Sequence, residues 1–199
     1  ERQSYLLLLR ERLRNSVAQR DNQALAQISM TDSLTGVANR RHLDAVLAQR
    51  WSETRKNDAV LGMLIIDIDH FKHYNDHFGH LEGDACLRQV AQEIQRSVRQ
   101  EVDLVVRYGG EEFVVLMPNT SVSSALHAAE RIRLGIEALA IFQADSSMLT
   151  VSIGAATLRP RTSLDPASLI AMADAALYQA KRGGRNRSVM APTHGASVS

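Results

Sequence analysis

Apolar positions along this chain change period several times, and each change marks an element. Residues 60–66 are almost unbroken apolar, which predicts a strand buried on both faces that delivers Asp67 and Asp69 at its exit. Residues 104–108 and 111–117 are β-prone on either side of Gly109-Gly110, the pattern of a hairpin closed by a two-residue turn, and residues 149–155 alternate as a further strand. Between them, helical spacing predicts helices over about 39–55, from His70, over 81–99, over 121–140 and over 166–182. A capping-type turn is expected at 31–36. Strands placed singly and as a hairpin among helices argue an α/β (α+β) sandwich with a mixed or antiparallel central sheet flanked by helices. A doubly wound nucleotide fold is disfavoured, and neither Gly-x-x-x-x-Gly-Lys nor Gly-x-Gly-x-x-Gly occurs.

The flanks read differently. Over residues 4–29 the apolar positions Leu6, Leu9, Leu13, Val17, Leu25 and Ile28 suit a helix, with Arg20 and Asp21 interrupting the stripe. A signalling stalk that forms a coiled coil and a helix packed on its own domain are both consistent with this pattern. Residues after Ser188 read as a disordered tail. The expected division is therefore a stalk at 1–30, a main domain at 31–188 and a tail at 189–199.

Candidate chemistry lies where strands end. Glu111 and Glu112 follow Gly109-Gly110 and should point to opposite faces, so only one joins a given site, and spacing does not choose between them. With Asp67, they offer hard oxygen ligands from two chain segments, the donor type that Mg²⁺ uses in phosphoryl and nucleotidyl transfer. The competing reading, solvated loop acids, is as common for strand-end carboxylates in general.

The residues around these acids tip the balance. Asp32-Ser33-Leu34-Thr35-Gly36 with Asn39-Arg40, then Asp67-Ile68-Asp69-His70-Phe71-Lys72 through Asn75-Asp76, Gly79-His80 and Gly83-Asp84, then Gly109-Gly110-Glu111-Glu112-Phe113, and finally Lys181 with Arg185-Asn186, stand in order across the chain. In these blocks the chain resembles the GGDEF family of bacterial diguanylate cyclases, in its GGEEF form. The resemblance implies a sheet like that of nucleotidyl cyclases and polymerase palms. It implies Mg²⁺-dependent condensation of two GTP into cyclic di-GMP by a homodimer, with Mn²⁺ as an alternative metal. It makes Asp67, Glu111 and the Ile68 carbonyl the metal ligands and gives Glu112 a supporting role. Asn75 and Asp84 would read guanine, whose N1–H and amino donors suit an amide and a carboxylate. Phe71, Lys72, His80, Gly110, Lys181 and Arg185 would complete the GTP site, the cations balancing the triphosphate. Taken alone, Asn75 and Asp84 would read as ordinary helix residues, and Lys181 with Arg182 as a basic helix end stopped by Gly183-Gly184.

One block departs from the family pattern. Where many members carry Arg-x-x-Asp as an inhibitory product site, this chain has Gln100 and Asp103, so that site is expected to be degenerate. Arg99 is one position away, a shift of about 100° on a helix. His70, His73, His77 and His80 share helical spacing, but Gly79 should break the helix and no cysteine joins them, so surface histidines are favoured over a zinc site.

Composition sets outer limits. The chain has 199 residues, 45% of them apolar, which suits one domain with a sizeable core plus an appendage. The formal net charge of +1 gives no electrostatic case for nucleic acid or membrane. The single Cys86 lies between apolar helical positions and reads as core filler in a reducing cytosol. No run is long enough to span a membrane. The chain begins with Glu, and is expected to be the cytoplasmic part of a longer protein with an upstream sensor. Two rival functions remain: a non-catalytic module that binds GTP or cyclic di-GMP, and another nucleotidyl transferase.

Overall fold

The structure, a computed structural model, describes residues 30–161 and 164–192. The expected stalk, apart from Met30, and the last seven residues of the expected tail lie outside the described residues. The elements run β1 (Ala38–Asn39), α1 (Arg40–Lys56), β2 (Leu61–Ile68), α2 (Phe71–Phe78), α3 (His80–Arg96), β3 (Leu104–Gly109), β4 (Glu112–Pro118), α4 (Val122–Ala138), β5 (Val151–Leu158), α5 (Pro166–Arg182) and β6 (Ser188–Met190). They build one six-stranded mixed sheet in the order β1-β3-β4-β2-β5-β6. The hairpin β3–β4, β2 and β5 pair antiparallel, whereas β1 and β6 join the edges in parallel.

Alternation along β2 divides the core in two. Leu64, Ile66 and Ile68 face Cys86, Leu87, Val90 and Ile94 of α3 and Ile132 and Ile136 of α4. Leu61, Met63 and Ile65 face Leu43, Leu47 and Trp51 of α1 and Leu169, Ala173 and Leu177 of α5. Asp67 continues the second set, so its position in the alternation aims it at the α5 side. Gly154 permits this layer to close: a β-carbon there would lie 2.1 Å from the Ala173 carbonyl oxygen and 2.2 Å from the Leu177 nitrogen. Cys86 is buried, and burial pushes its thiol up to about 12, as suits core filler.

Several details differ from the sequence reading. The hairpin turn is Gly110-Glu111, because an irregularity between Arg107 and Gly109 shifts the register and pairs Gly109 with Glu112. Glu111 therefore sits in the turn and not beyond it. Order also continues past 188, since Ala155 accepts from the Ala191 amide at 2.7 Å and Ala191 is buried. A three-residue edge strand is too short to show alternation. Helix α3 ends at Arg96, capped by Ser97, short of the expected 99.

Candidate functional site

The register of β2 and β4 sets Asp67 directly across from Glu112. Like charges so placed repel, and the direction of both pKa shifts agrees. Burial raises the Asp67 carboxyl above its ordinary value, Lys181 opposes the rise, and the charges of Glu111 and Asp69 add to it. Burial likewise raises Glu112, with Asp67 and then Glu111 and Asp174 adding and Lys181 opposing. Helix α5 supplies the countercharge: Lys181 Nζ lies 2.9 Å from Asp67 Oδ2, and the Asp67 side chain is only 13% exposed. Carboxylates raised chiefly by burial, and further by neighbouring negative charge, suit a cation among them. Asp67, Glu111 and the Ile68 carbonyl are hard oxygen donors, the kind Mg²⁺ takes. Among the described residues no group of three or more His, Cys, Asp and Glu side chains could hold a metal. A metal here would thus rest on two carboxylates, backbone oxygen and ligands from outside the chain.

Glu111 faces a cavity of about 500 Å³, together with Lys72, Asn75, Asp84, His80 and Arg107. Phe71 and Gly110 line it as well. Asn75 Oδ1 is buried there without a hydrogen-bond partner. A β-carbon on Gly83 would lie 1.8 Å from that oxygen, so the glycine leaves room for it. Gly79, at φ 86°, separates α2 from α3 and lets Asn75 and Gly83 meet across the break.

The remaining sequence-derived residues are placed elsewhere. Arg185 lines a neighbouring cavity of about 520 Å³, with His70, His73, Asp145 and Asn186, on the other side of the start of α2. Gln100 and Asp103 line a third, of about 590 Å³, with His42 and Arg96. There Arg99 Nη2 and Nε donate to Asp103 Oδ1 at 2.6 and 3.1 Å, and the Asp103 side chain is fully covered. The helical rotation expected to keep Arg99 away does not apply, because α3 has already ended. The four histidines do not lie on one helix: His70, at φ 59°, precedes α2, and His80 begins α3 beyond Gly79.

Two contributors were given no site role from sequence. Arg107 Nη1 donates to Asp32 Oδ1 and Oδ2 at 3.2 and 3.3 Å, while its Nε and Nη2 donate to the Gly110 carbonyl at 3.0 and 2.8 Å, tying the first turn to the hairpin. Asp69 is 2% exposed and accepts from Thr150 Oγ1, Ser152 Oγ and the Asn186 amide. Arg107 opens the acidic hairpin block and was within reach of the sequence. The partners of Asp69 come from far along the chain and were not.

Comparison with known proteins finds relatives over most of the chain. The family model "Diguanylate cyclase, GGDEF domain" matches residues 29–187. Over 167 residues, 84% of this chain, the sequence is 38% identical to the probable diguanylate cyclase DgcC of Escherichia coli, covering 44% of that protein. Over 162 residues, 81% of this chain, it is 40% identical to the diguanylate cyclase DgcP of Pseudomonas aeruginosa, covering 24% of it. The chain thus spans less than half the length of these curated relatives. Among solved structures, the coiled coil and GGDEF domain of DgcB from Caulobacter crescentus, in complex with c-di-GMP, superposes with a TM-score of 0.75 at 34% identity, over 92% of this chain and 99% of that one. No described helix is long and apolar enough to cross a membrane.

Proposed function

Since the chain belongs to the family of GGDEF diguanylate cyclase domains, we propose that it condenses two GTP into cyclic di-GMP with release of two pyrophosphates. The observation that carries this reading is the orphaned Asn75 Oδ1 in the cavity shared with Asp84 and Glu111. Two acceptors facing one space fit the N1–H and amino donors on one edge of guanine, and leave an adenine edge unsatisfied. A buried acceptor without a donor costs about 1–3 kcal/mol, which a guanine would recover.

With the base held there, Glu111 and Asp67 would flank the α-phosphate and the attacking 3′-hydroxyl. Mg²⁺ or Mn²⁺ held by Asp67, Glu111 and the Ile68 carbonyl would acidify the hydroxyl and screen the phosphates. Lys181 is already paired to Asp67 and would exchange that carboxylate for phosphate oxygens as substrate arrives. Lys72 and the amides at the start of α2 face the same anion, and Arg185 extends the positive charge beyond them. Glu112, partly buried beside Asp67, supports the metal site from behind. Each domain holds one GTP, so two copies must face each other, and the segment preceding residue 31 is the natural route for an upstream sensor to govern that alignment. Asp103, sealed by Arg99, and Gln100, which lacks a cation, leave no strong inhibitory product site.

The test is incubation with GTP and Mg²⁺ beside Glu111→Ala, with products identified by mass. Cyclic di-GMP from wild type, reduced at least about 10²-fold in the variant, is expected. GTP binding without turnover at any concentration would favour a receptor instead.

A further inference from the structure

Asp69 follows Asp67 by two residues, yet every contact it makes points away from metal chemistry. Its carboxylate receives three donors: Thr150 Oγ1 at 2.7 Å on Oδ2, Ser152 Oγ at 2.7 Å on Oδ1, and the Asn186 backbone amide at 3.1 Å on Oδ2. Its own amide donates to the Thr150 carbonyl at 2.9 Å. With both oxygens engaged and the side chain buried, it is spoken for as an anchor.

The third donor is the informative one. Asn186 and Arg185 stand at φ 43° and 62°, two successive non-glycine residues in the left-handed region. Such backbone persists only where its surroundings hold it. Asp69 holds it from the sheet side. From the other side, helix α4 grips the Asn186 side chain: Arg133 Nη1 donates to Asn186 Oδ1 at 2.8 Å, and Asn186 Nδ2 donates to Glu137 Oε1 at 3.4 Å. Arg133 is itself fixed by Glu130 at 3.1 Å and Glu137 at 3.0 Å. Arg185 lies between these fixed points, its amide bonded to the Ala180 carbonyl at the end of α5.

We propose that Asp69, acting with Asn186 and Arg133, is a positioning residue that locks the loop carrying Arg185 in the conformation that presents its guanidinium to the substrate triphosphate. This rests on the reading of the site as a GTP site. Lys181 sits on helix α5 and does not depend on the loop, so loss of the clamp removes one cation and leaves the other. The effect must then follow the phosphates and spare the base, which Asn75 and Asp84 hold from another cavity.

The experiment measures binding of 3′-deoxy-GTP, which lacks the attacking hydroxyl, and of GMP, to the full chain with Mg²⁺. Asp69→Asn keeps the shape but replaces an acceptor with a donor, and is expected to weaken 3′-deoxy-GTP about tenfold while GMP changes less than about twofold. Introduced into Arg185→Ala, the same substitution should cost nothing further, because the cation it positions is gone. Asn186→Ala removes the grip of α4 without touching the buried carboxylate, and should show the same selective loss even if Asp69→Asn does not fold. Equal losses for both nucleotides, or an effect additive with Arg185→Ala, would overturn the positioning role. Failure of the wild type to bind either nucleotide would overturn the underlying reading, and the clamp with it.

Discussion

Single residues explain why the acidic centre is costly without a cation. Asp67 and Glu112 are partly buried carboxylates paired in register, and both are held above their ordinary values, chiefly by burial. Between the ordinary value and the raised one, the folded chain binds more protons than the unfolded chain, so stability falls as pH rises through that window. Below the window the contribution is fully present. Glu112→Gln removes the part due to Glu112. Its melting temperature should match wild type in acid and exceed it at about pH 7.5, as thermal denaturation without divalent metal would show. A constant difference across pH would assign the effect to packing. The role of Asp69 illustrates what residue patterns conceal: an acid at a strand exit looks like a ligand until Thr150, Ser152 and Asn186 are seen to consume it.

At the scale of elements, two glycines make opposite predictions. Gly83 faces the flexible end of Asn75, so Gly83→Ala turns that side chain aside at little structural cost. GTP binding should weaken about tenfold, with the melting temperature nearly unchanged. Gly154 faces the backbone of α5, which cannot move aside alone, and Gly154→Ala should destabilise by about 3 kcal/mol in chemical denaturation. Helices were legible because each buries one clear face, and β2 because its run is apolar on both faces. The hairpin was displaced by one residue because Tyr108 is absorbed in an irregularity that no pattern announces. The strands β1 and β6, of two and three residues, are set by pairing partners and not by their own sequence. The Arg99–Asp103 pair was not anticipated, because α3 stops three residues sooner than its apolar spacing suggests. Added cyclic di-GMP is accordingly expected to leave the initial rate unchanged; inhibition lost on Asp103→Ala would refute this.

At the scale of the whole molecule, the proposed binding of one GTP per domain would make turnover second order in protein. Specific activity should fall on dilution, and removal of residues 1–28 should steepen that fall, measured as cyclic di-GMP formed at several protein concentrations. Equal specific activity for both forms at every concentration would exclude the stalk as the aligning element. The chemistry of the cavity was legible in the sequence because Asn75, Asp84 and Glu111 lie within contiguous blocks. The division of the cations was not, since it depends on which side of α2 each segment passes. The placement of β2 carries a final consequence. It is hydrogen-bonded along both edges, to β4 and to β5, so its amides should be among the last to exchange with deuterium, waiting for global unfolding. Asp67 is thus mounted on a strand expected to be among the last to open. On the proposed reading, substrate would be brought to this carboxylate, and control would act on whether two loaded domains meet.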